Sequence, residues 1–265
     1  MTDSRKGLSA FSLKIIALIL MTVDHIGYFI PGQPLVLRMI GRIAAPVFLF
    51  VAANSFLLTS NRIKYVLRLY IASLIMELTK MIAGFFFPDS RMVVTNNIFA
   101  TLFYAVLIAS GIDGLMNLGE KKDVKTILRY SAMTGLPLIW TIASLSRENI
   151  LAFWPLRAAA PALTQVEGGL MVVVMGAGFC LLAKRRSSLI LYFGVFCAFE
   201  FLSVILIAGP ASLFRENIQW MMVFAIPLML LYNNDKGKGL KWLFYVYYPL
   251  HIWILYFLGR FAFER

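Results

Sequence analysis

His25 and His251 are the only two histidines in the chain, and each lies in a run of about 20 apolar residues, long enough to cross a bilayer. His25 follows Asp24 in KIIALILMTVDHIGYFI, with Arg38 and Arg42 shortly after, and His251 closes YVYYPLH near the other end. Ionisable groups at membrane depth are expensive, so they pair, face a protein interior and mark a pathway or a reaction site. Imidazole is suited to taking and giving a proton near neutral pH. A guanidinium in a low-dielectric site stabilises negative charge that develops on an oxygen. Such buried charges could form a reaction site or a transporter's proton relay.

Helix geometry limits the pairings. Arg38 and Arg42 are four apart and share a face, as do Glu77 and Lys80 at three apart. Asp24 and His25 point about 100° from each other, so Asp24 is expected to neutralise Arg38 or Arg42. His25 then needs a partner elsewhere, with Glu77, Glu200 and His251 as candidates. At 1.5 Å per residue, His25 and Glu77 lie about 21 Å above the cytoplasmic end of their spans, Glu200 about 18 Å and His251 about 16 Å. Arg42 descends about 12 Å from the outside, which in a core of about 30 Å is again about 18 Å up. Five spans thus place an ionisable group in one layer, with Asp24, Arg38, Lys80, Asn96 and Asn97 in or just above it. Taken singly, Asn96 and Asn97 read as helix-helix hydrogen-bonding devices.

The elements that must position these groups are transmembrane helices. The chain has 265 residues, 60% hydrophobic and 14% charged, with a mean hydropathy of +0.80. Soluble domains average about 45–50% apolar and about 25% charged. The expectation is an all-α polytopic bundle forming one integral-membrane domain. About nine spans are read from the apolar runs, near 11–30, 34–58, 63–87, 93–117, 127–145, 166–183, 188–209, 218–232 and 240–260.

The net charge of +12 would suggest nucleic acid in a soluble protein, but its distribution fits membrane orientation and no nucleic acid is expected. Arg5, Lys6, Lys14, Arg62, Lys64, Arg68, Lys121, Lys122, Lys125, Arg129, Lys184, Arg185, Arg186, Lys236, Lys238 and Lys241 fall on one side. Arg91, Arg147, Arg157, Arg215, Arg260 and Arg265 fall on the other. The excess faces the cytoplasm, so the N-terminus is expected inside and the C-terminus outside.

Cys180 and Cys197 lie within spans and read as packing residues, with no disulfide framework or metal site. The first apolar run is long and carries Asp24-His25, so it reads as a retained span rather than a signal peptide. Segment 149–163 is apolar but broken by Pro155 and Pro161, and is expected to lie along the outer interface or dip in from it, with Trp154 in the interfacial belt. The aromatic stripe from Trp242 to Tyr256 reads as packing or lipid-facing surface.

The segments LKIIALILMTVDHIGYF (13–29), LRMIGRIAAPVFLFVA (37–52), TSNRIKYVLRL (59–69), NNIFATL (96–102) and FYVYYPLHIWIL (244–255) resemble the TraX family, named for the F-pilin acetylase. Two features depart from the family pattern. Asn54-Ser55 stands where the family commonly has Glu-Gly, and the family's acidic, Tyr-Gly-containing motif is met only loosely by VEGG (166–169).

The resemblance implies a membrane-embedded acetyltransferase that takes acetyl groups from cytoplasmic acetyl-CoA. The acceptor would be presented at the membrane or cell envelope: a pilin-like peptide amine, a glycan or a lipid. Asp24, His25, Arg42 and His251 match the motifs, with Arg38 one turn before Arg42. His25 is expected as general base and Asp24 as partner of the arginines. Arg38 and Arg42 would stabilise the oxyanion, and His251 would be a second acid–base or thioester-contacting group. Glu77, Lys80, Asn96, Asn97, Glu200 and Tyr248 are candidates for substrate contact. Lys184, Arg185, Arg186, Lys238 and Lys241 could meet CoA phosphates, although orientation and attraction to anionic lipid explain the same charges. A proton-coupled transporter and a non-catalytic component of pilus or conjugation assembly are the rival readings.

Overall fold

The computed structural model describes residues 6–88, 94–119, 123–146, 154–215, 217–239 and 241–263. Among them the chain is helical, with one isolated bridge between Leu8 and Tyr232. Six helical stretches are long and apolar enough to cross a membrane: Ala10–Phe29, Val36–Leu58, Arg62–Phe86, Ile98–Met116, Arg186–Ala208 and Trp242–Ala262. The protein is a multi-pass membrane protein. Of the other expected spans, Val124–Ser146 is a 23-residue helix with Pro137 inside it. Gly169–Leu182 and Gln219–Leu230 are shorter apolar helical stretches.

The chain divides into two compact units, residues 1–51 with 185–265, and residues 52–184. In the first, α1 (Ala10–Phe29), α2 (Val36–Gly41) and the start of α3 (Ala44–Leu58) join α9 (Arg186–Ala208), α10 (Ile226–Leu230) and α11 (Lys241–Phe263). α1 packs against both α2 and α11. Expected span 34–58 is interrupted at Arg42-Ile43, a turn between α2 and α3. Expected span 218–232 is mostly a 3-10 helix, Gln219–Ala225, and α10 adds only one turn, starting at Ile226-Pro227. Proline suits that first turn because its missing N–H would be unused there. On α9, Leu191, Val195, Leu206 and Ile207 are all more than half exposed, a face that only lipid or another apolar surface can cover.

In the second unit, α5 (Ile98–Met116) is the centre, packed by α4 (Arg62–Phe86), α6 (Val124–Ser146) and α8 (Gly169–Leu182). The short helix α7 (Trp154–Ala159) and the irregular residues after it run through the interior, where Ala158, Ala162, Leu163 and Val166 are buried. Buried backbone without helical partners must be satisfied by neighbours, and five helical side chains do so. Tyr70 donates to the Ala159 carbonyl (3.0 Å), Trp140 to Ala160 (2.7 Å), Tyr104 to Pro161 (2.8 Å) and Thr101 to Glu167 (2.8 Å). Thr141 Oγ1 accepts from the Leu163 N–H at 2.9 Å. Within 149–163, residues 158, 162 and 163 are buried inside this unit; residues 149–153 and the Trp154 side chain lie outside the described residues.

Candidate functional site

In the first unit α1 and α11 bring the two histidines into contact. Nδ1 of His25 lies 2.7 Å from Nε2 of His251, and the rings meet edge to edge, with centroids 5.0 Å apart and planes 15° apart. Nδ1 of His251 lies 2.9 Å from the Tyr247 carbonyl oxygen. Pro249 lies inside α11 and has no N–H for the Tyr245 carbonyl. His25 and His251 are 1% and 6% exposed.

These contacts fix the tautomers of a neutral pair. A carbonyl oxygen only accepts, so Nδ1 of His251 carries the proton and its Nε2 offers a lone pair. Nδ1 of His25 must then be the donor, and Nε2 of His25 bears the lone pair. The basic nitrogen belongs to His25, and His251 orients it.

Asp24, next in sequence, turns the other way. Its Oδ2 accepts from Arg38 Nη1 at 2.5 Å and its Oδ1 from Arg42 Nη2 at 2.6 Å. One carboxylate between two guanidiniums leaves net positive charge within electrostatic reach of His25. Arg42 also donates from Nε to the Arg38 carbonyl (3.2 Å) and from Nη1 to Gln219 Oε1 (3.1 Å). The Arg38 guanidinium lies over the Tyr28 ring at 4.9 Å. The arginine side chains are 24% and 21% exposed against 10% for Asp24, so the carboxylate is the most enclosed part of the cluster.

The sequence pattern of the family described as "TraX protein" matches residues 9–259, which span every group in this site. The chain belongs to the TraX family. It is 27% identical to the "Probable fimbrial assembly protein FimC, serogroup H1" of Dichelobacter nodosus, over 93% of this chain and 94% of that protein. It is 50% identical to an uncharacterised protein of Rickettsia prowazekii (strain Madrid E), over 17% of this chain and 18% of that one. No solved structure matches it significantly.

Three residues of this TraX-family site were not singled out in the sequence: Gln219, Thr22 and Tyr247. Thr22 Oγ1 and Tyr247 Oη are 2.8 Å apart, and the Tyr247 ring stacks on His251 at 5.2 Å. A glutamine inside apolar stretch 218–232 was a signal available in the sequence. Tyr247 belongs to the aromatic stripe, where only its four-residue spacing from His251 sets it apart. Tyr248 is 2% exposed and meets His251 edge-on at 5.7 Å, packing against the base pair rather than facing lipid.

The second unit holds a separate polar cluster. Lys80 Nζ is 2.6 Å from Glu77 Oε1. Asn97, fully buried, donates to Glu77 Oε1 (2.8 Å), the Ser73 carbonyl (3.1 Å) and Ser73 Oγ (3.2 Å), while its Oδ1 caps α5 at Ala100 N (3.2 Å). Asn97 thereby joins α4 to α5. Asn96 is buried less completely beside it, and its Oδ1 is a buried atom with no hydrogen bond. Glu200 is half-buried on α9 and makes no hydrogen bond to either histidine. Of the cofactor candidates, Lys184, Arg185 and Lys238 are exposed, and the Lys241 side chain lies outside the described residues. Arg186 differs from expectation. Its Nη2 donates to the Met229 and Tyr232 carbonyls, both at 2.5 Å, so it ties a loop down instead of reaching outward.

Proposed function

We propose that this chain is a membrane-embedded acyltransferase that moves an acetyl group from cytoplasmic acetyl-CoA to an amine or hydroxyl acceptor at the membrane or cell envelope. The observation that carries the reading is the oriented pair His25–His251 beside a cationic Asp24–Arg38–Arg42 cluster. Nε2 of His25 takes the proton of the attacking amine or hydroxyl as the new C–N or C–O bond forms. Arg38 and Arg42 face the negative charge on the carbonyl oxygen. The C–S bond then breaks, and the proton held by His25 passes to the departing thiolate.

The proposed arrangement has nine crossings in the inner membrane, with the N-terminus cytoplasmic and the C-terminus outside. The distribution of Lys and Arg between alternate loops supports it. The printed name of the Dichelobacter relative favours an acceptor connected with fimbriae, such as a pilin-like N-terminal amine. That name equally suits a second reading, a non-catalytic component of pilus assembly.

The test is acetyl transfer or hydrolysis by the purified protein given acetyl-labelled CoA. His25→Ala is expected to lose 10²-fold or more, on the order of a general base's contribution. Unchanged turnover in that variant removes His25 from the mechanism. No turnover by a folded wild type, with pilus assembly intact in His25→Ala cells, favours the second reading.

A further inference from the structure

The histidine pair lies towards one end of the α1–α11 seam. Thr22 and Tyr247 form the next contact towards the helix starts, and Lys14 and Phe244 lie at the base, Nζ 5.1 Å from the ring centroid. Lys14 is eleven residues before His25, about 16 Å along α1. Phe11 meets Phe244 edge-on at 6.5 Å, so the Phe11–Lys14 face of α1 is turned to α11 and not to lipid. A lysine serving only to orient the chain would extend into the headgroups; this one lies half-buried against the seam.

A strap formed by residues 231–239 holds a second cation there. Leu8 N donates to the Leu231 carbonyl (2.8 Å), Asn233 N to Leu8 (3.0 Å), Ala10 N to Asp235 (2.7 Å) and Phe11 N to Lys236 (3.2 Å). Gly237, at φ +64°, lies so close to α1 that a Cβ would come within 2.6 Å of Ser9 Oγ. Arg186 locks the strap's other end through the Met229 and Tyr232 carbonyls. The strap therefore places the backbone of Lys236, whose side chain is exposed, about one helical turn from Lys14. Among the described residues neither lysine forms an ion pair with a carboxylate. Two like charges held together by a built loop, beside two aromatic rings, favour a polyanion that carries an apolar or aromatic group.

We propose that Lys14 and Lys236, at the base of the α1–α11 seam, form a binding site for a phosphate-bearing ligand. The chemistry suits the phosphates of a nucleotide or of a lipid headgroup. Assigning them to CoA, with its thioester arm running along the seam to His25, rests on the acyltransferase reading above.

The experiment measures binding of adenosine 3′,5′-bisphosphate to the purified protein, and co-purification of phosphatidylglycerol, for wild type, Lys14→Gln, Lys236→Gln and Lys14→Arg. Bisphosphate binding weakened about tenfold in each Gln variant and largely kept in Lys14→Arg supports a nucleotide site. Bound phosphatidylglycerol lost from the Gln variants, with no bisphosphate binding, supports the site with lipid as its source. If neither ligand distinguishes folded wild type from the Gln variants, the site is overturned, even where acetyl transfer is measured. Binding that is lost in the variants of a protein without transfer activity leaves the site standing and removes the acyltransferase reading.

Discussion

Gly41 of α2 lies directly against Asp24 of α1, so that a Cβ at position 41 would overlap the Asp24 side chain. The bare backbone is what lets the two helices approach until Arg38 and Arg42 reach the carboxylate. Gly41→Ala is expected to push α2 outward, destabilise the protein by about 1–3 kcal/mol as overpacking does, and lower any activity that depends on the arginines. Gly84, in α4, has nothing within 4 Å of an added Cβ, and Gly84→Ala should be neutral or stabilising by about 0.5–1 kcal/mol. Thermal unfolding in detergent compares the two. Equal midpoints would mean that α1 and α2 are not held at this distance.

Asp24→Asn removes the counter-charge of two mostly buried guanidiniums. Breaking a buried pair from one side costs about 3–5 kcal/mol, because the remaining charge is left uncompensated. Arg38→Gln in the Asp24→Asn background should recover part of that loss, since one cation fewer then lacks a partner. A double-mutant cycle on unfolding free energies measures this. Additive effects of the two substitutions would show that the ion pair is not formed in the membrane.

The sequence made the polar groups of the first unit readable because charge in an apolar run has few explanations. The neighbours Asp24 and His25 had to diverge by helix geometry, and Arg38 and Arg42 had to share a face. Which partner His25 takes was open among three residues, since sequence separation says nothing about which distant helix packs beside α1. Gln219 and the strap over Lys14 depend on irregular backbone, 3-10 turns and main-chain hydrogen bonds, which leave no periodic trace. Stretch 34–58 is one apolar stretch in the structure too, and only the two-residue turn at Arg42-Ile43 within it is invisible to hydropathy.

The contact between the histidines fixes a measurable state of each ring. In the neutral pair both carry their proton on Nδ1: His251 because it faces the Tyr247 carbonyl, His25 because it faces His251. Nitrogen-15 shifts of histidine-labelled protein, assigned with His25→Gln and His251→Gln, should report the Nδ1–H tautomer for both rings. His251→Gln should shift the His25 signals, whereas Lys238→Gln should not. Finding Nε2–H on His25 in the neutral protein would transfer the basic nitrogen elsewhere.

The buried segment of the second unit gives a prediction independent of catalysis. The Pro161 carbonyl and the Leu163 N–H have side-chain partners, Tyr104 and Thr141, in place of backbone ones. Tyr104→Phe and Thr141→Val keep the shape and remove one hydrogen bond each, leaving a buried polar group unsatisfied at about 1–3 kcal/mol. Ser110→Ala is the contrast. Its hydroxyl donates to Val106 of its own helix, a carbonyl that helical backbone can satisfy, so its effect should stay within about 0.5 kcal/mol. Because both substitutions release the same few residues, the double variant should also gain protease cleavage between 158 and 168. Resistance to cleavage together with unchanged unfolding would mean that the segment is held by packing alone, since hydrogen bonds that anchored it could not be lost without exposing it.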